Sequence, residues 1–192
     1  MFSLQHPLVL ASKSPRRRQI LEMLGFTFTV DAEDIDETPP TGVPASRIPA
    51  LLAQQKTAVI SSRMPDALVL GSDTLVEIDG EVLGKPADEQ EGLDMLKRLN
   101  GRTHHVYTGV AVARGGALRG TATGCTAVTF ATWSEADLRA YVRSGESLDK
   151  AGSYAIQGRG AFLVERIEGC FYNVMGLPVQ ESFRLLLPYR AA

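Results

Sequence analysis

Leu8-Val9-Leu10-Ala11-Ser12-Lys13-Ser14-Pro15-Arg16-Arg17-Arg18 decides the architecture. Four apolar residues, 8–11, read as a short buried strand. Ser14 and Pro15 then read as the N-cap and first position of a helix. Ile20, Leu21 and Leu24 give that helix an apolar face, and Gly25 stops it. A strand that feeds a helix start presents free backbone N–H groups and about half a positive charge. Acids normally fill that first turn. Three arginines stand there instead, the unfavourable sign, and an external anion such as a phosphate would resolve the conflict.

Outward from this unit, strand and helix patterns alternate. Residues 26–30, Phe-Thr-Phe-Thr-Val, alternate as a strand does. Residues 31–47 hold five acids within 31–37 and three prolines, the composition of a long binding loop or lid. A helix follows, with Ile48, Leu51, Leu52 and Val59 on one side and Lys56 on the same helix. Residues 67–70 read as a second buried strand ending at Gly71-Ser72-Asp73-Thr74. Strands 75–78 and 81–83 flank Asp79-Gly80, a hairpin turn. Residues 88–99 form a helix with Leu93, Leu96 and Leu99 inward. Strands 105–113 and 121–131 are joined near Gly115-Gly116, and Ser134 caps a helix that buries Leu138, Tyr141 and Val142. A strand at 161–167 and a helix at 178–187 close the chain. The pattern is that of an α/β protein with a mixed, twisted sheet and flanking helices.

The bulk properties narrow the function. The chain has 192 residues, 44% of them apolar, and a net charge of −2. That balance disfavours a general nucleic-acid binder. No apolar run approaches the roughly 20 residues of a membrane span, and the start carries no secretory apolar region, so a cytoplasmic protein is expected. Cys125 and Cys170 form no CxxC pair, and His6, His104 and His105 have no zinc-ligand spacing.

Five groups can carry chemistry. The first is the Ser12–Arg18 turn. The second is Asp73, a carboxylate beyond a buried strand, able to hold a metal or take a proton from water. The third is Lys85 of Gly84-Lys85-Pro86, which is not a Walker loop because it has one spacer too few and a Pro in place of Ser or Thr. The fourth is the acidic loop, whose Asp36 and Glu37 are candidates to complete a magnesium site with Asp73. The fifth is 149–158, Asp-Lys-Ala-Gly-Ser-Tyr-Ala-Ile-Gln-Gly, which lacks GxGxxG but offers the Gln157 amide to a base edge. Each alone has a bland reading: a solvated basic turn, a turn Asp, a free lysine, a solvated loop, a structural turn. Together they supply cations, carboxylates and a neutral hydrogen-bonding group, the requirements of a metal-bound nucleotide.

In this order the stretches ASKSPRR, the lysine of LLAQQK, VLGSDTLV, GKP, GRTHHVYTGV, DKAGSYAIQG and NVMGLP resemble the Maf family of nucleotide pyrophosphatases. The resemblance implies one Maf-like domain over 1–192, elongated and two-lobed with a central cleft, similar to inosine triphosphate pyrophosphatases. It implies hydrolysis of a nucleoside triphosphate to monophosphate and pyrophosphate, a divalent cation (Mg2+ or Mn2+), cytoplasmic location and frequently a homodimer, with neither nucleic acid nor membrane as partner. Asp73 matches the family's proton acceptor. Ser12, Arg16, Glu37, Lys56 and Lys85 match positions used around phosphates and metal, with Asp73 and Glu37 the metal ligands, and Ser14 and Arg17 join the substrate-binding turn. The branch acting on 7-methyl-GTP carries Trp, Gln and Glu where this chain has Arg16, Thr74 and Gln157, so the dTTP/UTP branch is implied. Lys13, Cys170-Phe171 and Met175 depart from the commoner family residues without removing a catalytic group. A nucleotide-binding regulator of cell division without turnover, and a phosphatase releasing orthophosphate, are the competing readings; Ser72-Asp73-Thr74 lacks the second Asp of the aspartyl-phosphate enzymes.

Overall fold

A computed structural model describes residues 3–38 and 41–191; Pro39 and Pro40 of the acidic loop therefore lie outside the described residues. The chain runs β1 (Leu8–Leu10), α1 (Pro15–Met23), β2 (Phe28–Val30), α2 (Ile48–Arg63), β3 (Leu68–Ile78), β4 (Glu81–Leu83), α3 (Glu89–Leu99), β5 (Thr103–Arg114), β6 (Ala117–Phe130), α4 (Glu135–Val142), β7 (Val164–Glu168), α5 (Phe171–Met175) and α6 (Val179–Leu186). The sheet has seven strands in the order β2-β1-β3-β5-β6-β7, with β4 paired to β3. It is mixed: β1 lies parallel to β2 and β3, whereas β4 is antiparallel to β3 and β7 to β6. This is the expected α/β fold with a mixed sheet.

The chain divides into two units. The first comprises Met1–Asp73, Thr108–Gly124 and Gly176–Ala192; the second comprises Thr74–Tyr107 and Cys125–Met175. In the first, Val9, Ala11 and Val69 from the strands pack with Ile60 of α2 and with Ala67. Helix α2 comes unusually close to the sheet. A Cβ added at Gly71 of β3 would lie 2.7 Å from Thr57 Cγ2, and one at Gly109 of β5 would lie 2.2 Å from the Pro49 carbonyl carbon and Ala50 nitrogen. Only glycine permits those approaches.

The second unit has its own core, in which Val76, Ile78 and Val106 from the sheet meet Leu93, Leu96 and Leu99 of α3 and Leu138, Tyr141 and Val142 of α4. Helix α3 is capped by Asp88, whose carboxylate accepts from the Glu91 N–H, and α4 by a full capping box between Ser134 and Asp137. The expected hairpin turns are present: Asp79 and Gly80 have φ of 57° and 80°, and Gly115 and Gly116 have φ of 59° and 73°, the left-handed pairs that a two-residue hairpin needs.

Four expectations are corrected. Strands 67–70 and 75–78 are one strand of 11 residues, so Asp73 lies within β3 and not beyond its end. The polar Gly-Ser-Asp-Thr run looked like a break, but Ser72 is buried with its hydroxyl 2.8 Å from the Gly109 carbonyl oxygen and 2.9 Å from that of Gly176, so the strand passes through. Leu51 is exposed, because α2 turns Leu52 and Ala53 to the sheet instead. The strand read at 161–167 begins at Val164, after a short 3-10 segment at Gly158–Leu163 that the Gly-rich sequence favours. Helix α5, which has five residues and follows Cys170, was not foreseen.

His104 packs against Phe130 and Tyr154 of the second core. Its side chain is fully buried, with Nε2 2.8 Å from the Tyr154 hydroxyl and its ring edge-on to Phe130. Burial pushes its pKa from 6.5 down to about 3. Below pH 6.5 the unfolded chain binds a proton there that the folded chain refuses until about pH 3. Stability contributed by this residue is therefore lost as pH falls through that window. His104→Gln should flatten the acid limb of a plot of urea midpoint against pH between 6.5 and 4; an unchanged slope would show that His104 does not drive it.

Candidate active site

The basic turn and the acid of β3 meet in the first unit. Strand β1 ends at Leu10 and delivers Ser12, which is only 7% exposed, to the start of α1. Ser14 occupies the N-cap position in extended geometry, but its hydroxyl makes no capping bond, and the first turn holds no acid. The capping role belongs in part to Ser12: its Oγ accepts the Ser14 N–H at 3.2 Å and an Arg17 guanidinium N–H at 2.9 Å. A hydroxyl has two acceptor sites and one donor proton. Both acceptor sites of Ser12 are therefore used, and its own proton is left to donate. Arg17 is held from its other side by Nε donating to the Gly176 carbonyl at 2.8 Å. Burial lowers the Arg17 pKa; the fields of Asp73 and Glu37 oppose that shift, and Arg16 adds to it. Arg18 points elsewhere and pairs with Glu22 at 2.7 Å.

Asp73 is answered by α2. Lys56 Nζ lies 2.6 Å from Asp73 Oδ1 and 2.7 Å from Glu37 Oε1. The lysine and Asp73 side chains are 12% and 13% exposed, whereas Glu37, from the loop, is 51% exposed. The loop is fastened along its length: Asp31 and Glu33 pair with Arg63 at 3.0 and 2.5 Å, and Asp34 pairs with Lys13 at 2.8 Å. Lys13 thus serves the loop. Asp36 turns back to Thr38, whose hydroxyl first and N–H second (the latter at 2.9 Å) hold its carboxyl below the usual range, so it is Glu37 and not Asp36 that faces Asp73's lysine.

Of the expected site residues, the structure joins Ser12 to Arg17 and Lys56 to both Asp73 and Glu37, and the two acids act on Arg17 through their fields, with Ser14 and Arg16 on the same helix start. Thr74, Lys85 and Gln157 belong to the second unit. There Lys85 is exposed in the segment after β4, and among the described residues its ammonium has no ion pair. Gln157 is half-buried ahead of Gly158–Leu163, and its amide makes no capping bond.

Among the described residues no group of three or more His, Cys, Asp or Glu side chains is disposed to hold a metal ion. Two carboxylates converge on one nitrogen, however, and magnesium typically takes one or two carboxylates with the remaining positions given to water and substrate phosphates. The donor set fits such a cation.

Residues 7–188 match the family model described as Maf-like protein. The chain belongs to the Maf family. Its relatives include the dTTP/UTP pyrophosphatase of Myxococcus xanthus (strain DK1622), 51% identical with 96% of each chain covered. That of Moorella thermoacetica (strain ATCC 39073 / JCM 9320) is 50% identical with 93% of each covered. The solved Staphylococcus aureus Ham1 protein is similar at 12% identity and a TM-score of 0.48, covering 95% of this chain and 94% of that one; the fold rests on the sheet itself and not on this likeness.

Two members of this Maf-family network are not visible as functional in the sequence: Ser72 and the Gly176 carbonyl. Gly176 accepts from both Arg17 and Ser72, tying the start of α1 to β3. The only sequence signal was the NVMGLP stretch itself, which names no chemistry. Replacing Arg17 by Met removes one of two donors to the Gly176 carbonyl and one donor to Ser12, so Arg17→Met should cost about 1–3 kcal/mol of folding stability, with Arg17→Lys recovering only part. Urea unfolding of the three proteins checks this; a loss below about 0.5 kcal/mol for Met would make the guanidinium dispensable to the fold.

Proposed function

We propose that the protein hydrolyses nucleoside triphosphates, dTTP and UTP foremost, to the monophosphate and pyrophosphate. The carrying observation is full-length identity of 51% to a relative that bears this activity in its name, together with the Lys56–Asp73–Glu37 arrangement. The reaction joins water to the α-phosphorus and breaks that phosphorus's bond to the bridging oxygen, and pyrophosphate departs. Asp73 orients the water and takes its proton. Its contribution lies in orienting the water as much as in taking the proton.

Lys56, Arg16 and Arg17 supply positive charge to offset what develops on the leaving group, and Lys85 takes the same part by family resemblance. Ser12 donates its remaining proton to a phosphate oxygen, and the uncapped start of α1 adds its free N–H groups. Asp73 and Glu37 would hold the Mg2+ or Mn2+ ion, which when bound neutralises phosphate charge. Arg16, Thr74 and Gln157 carry the base preference: uracil and thymine are neutral, and a Gln amide offers both a donor and an acceptor. A 7-methylguanine cation would instead suit a carboxylate and an aromatic face.

The same reading puts the enzyme in the cytoplasm, with a homodimer as the assembly the family implies. No helix among the described residues is long and apolar enough to cross a membrane. A division regulator without turnover is not favoured, since the carboxylates and lysines of the reaction are all present.

Asp73→Asn should reduce kcat by about 100-fold or more with an unchanged circular dichroism spectrum. Near-normal pyrophosphate release would take Asp73 out of the mechanism. Across dTTP, UTP, CTP, dATP, GTP and 7-methyl-GTP, kcat/KM should be highest for the first two, with pyrophosphate and not orthophosphate as product. A preference for 7-methyl-GTP would overturn the reading of Arg16, Thr74 and Gln157.

A further inference from the structure

The two carboxylates assigned to a divalent cation already share a cation of their own. Lys56 Nζ is 2.6 Å from one and 2.7 Å from the other, within hydrogen-bonding distance of both. Its position is not a chance arrangement of a long surface side chain. The lysine stem leaves α2 where the helix is pressed against β3, with its Cβ 3.6 Å from the place a Gly71 Cβ would take, and the side chain is 12% exposed. The carboxylates are fixed too: Asp73 by its place within an 11-residue strand, and Glu37 by a loop pinned through Arg63 and Lys13. An ammonium this close to both acids repels a divalent ion that would use the same oxygens, and the low exposure of the pair strengthens that repulsion.

We infer that Lys56 is an internal counter-ion that suppresses divalent-cation binding by the free protein, and that the cation is accepted together with a triphosphate, whose oxygens draw the ammonium away from Asp73 and Glu37. The inference rests on the assignment of these two acids to the metal. It gives Lys56 two parts: keeping the half-buried acid of β3 paired before substrate arrives, and meeting phosphate charge afterwards. It also makes the metal–nucleotide complex, rather than a resident metal centre, the species the site selects.

The test is Mn2+ binding to the full-length protein, read by electron paramagnetic resonance and free of any turnover. Lys56→Gln, and Lys56→Met as a second neutral variant, should bind Mn2+ at least tenfold more tightly than the unsubstituted protein, and Lys56→Arg should show no gain. The gain should vanish in Lys56→Gln/Asp73→Asn. For the unsubstituted protein, a non-hydrolysable dTTP analogue should increase the Mn2+ retained on ultrafiltration, beyond what the analogue carries in a Lys56→Gln/Asp73→Asn control. Equal Mn2+ affinity with and without the Lys56 charge, a gain that survives loss of Asp73, or retention that the analogue leaves unchanged would each overturn the inference. Because these readings need no hydrolysis, a protein inactive on dTTP and UTP would refute the proposed reaction separately, and the Mn2+ comparison would still decide the part played by Lys56.

Discussion

An acid in the middle of a buried strand needs a cation, and the first unit is arranged around supplying one. Asp73 follows Leu68, Val69 and Leu70, all without exposure, in a strand that continues to Ile78. A charge so placed costs several kcal/mol unless it is paired. The pairing lysine must arrive on a rigid support, and α2 provides it by lying almost on the backbone of two strands. That closeness explains glycine at both contacts: Gly109 under the first turn of α2, and Gly71 two residues before the acid, under Thr57 and Lys56. The ion pair thus dictates residues that have no chemistry themselves.

Arg17 is anchored from a different side. Its Nε donates to the Gly176 carbonyl oxygen and its terminal N–H to the Ser12 hydroxyl, which fixes the guanidinium against both. Asp73 and Glu37 act on it through their fields. The two cations therefore do different work. Lys56 neutralises two acids, while Arg17 holds Ser12 at the start of an uncapped helix, whose dipole gives a positive field there. An anion at that helix start would gain from the field, the free N–H groups and the hydroxyl together.

Much of this was legible in the sequence because the signals were local. Ser14-Pro15 marked the helix start, Asp79-Gly80 and Gly115-Gly116 marked hairpins through their left-handed turns, and Ser134 marked a cap. What was not legible depended on partners far along the chain. Ser72 seemed to end a strand because its acceptors are the carbonyls of Gly109 and Gly176, 37 and 104 residues away. Leu51 and Leu52 differ by one position on a helix whose apolar residues are not confined to one face, so periodicity did not tell which is buried. Lys13, a variable residue in the phosphate turn, could be assigned to phosphate or to loop only once Asp34 was seen beside it.

The acidic loop carries the last consequence. Five acids within residues 31–37 suggest a multi-carboxylate metal cage, yet the chain spends most of them elsewhere. Asp31, Glu33 and Asp34 are matched to cations outside the site, and Asp36 is turned to backbone. A site lined by all five would repel a highly charged triphosphate as strongly as it attracted a metal. With Glu37 and Asp73 alone facing inward, and Lys56 between them, the negative charge presented to substrate is kept small. Coordination positions are then left for the phosphates themselves, which is the mode in which magnesium usually serves nucleotide chemistry. The loop's acidity and the site's tolerance of an anion are compatible because the ion pairs sort the acids by position.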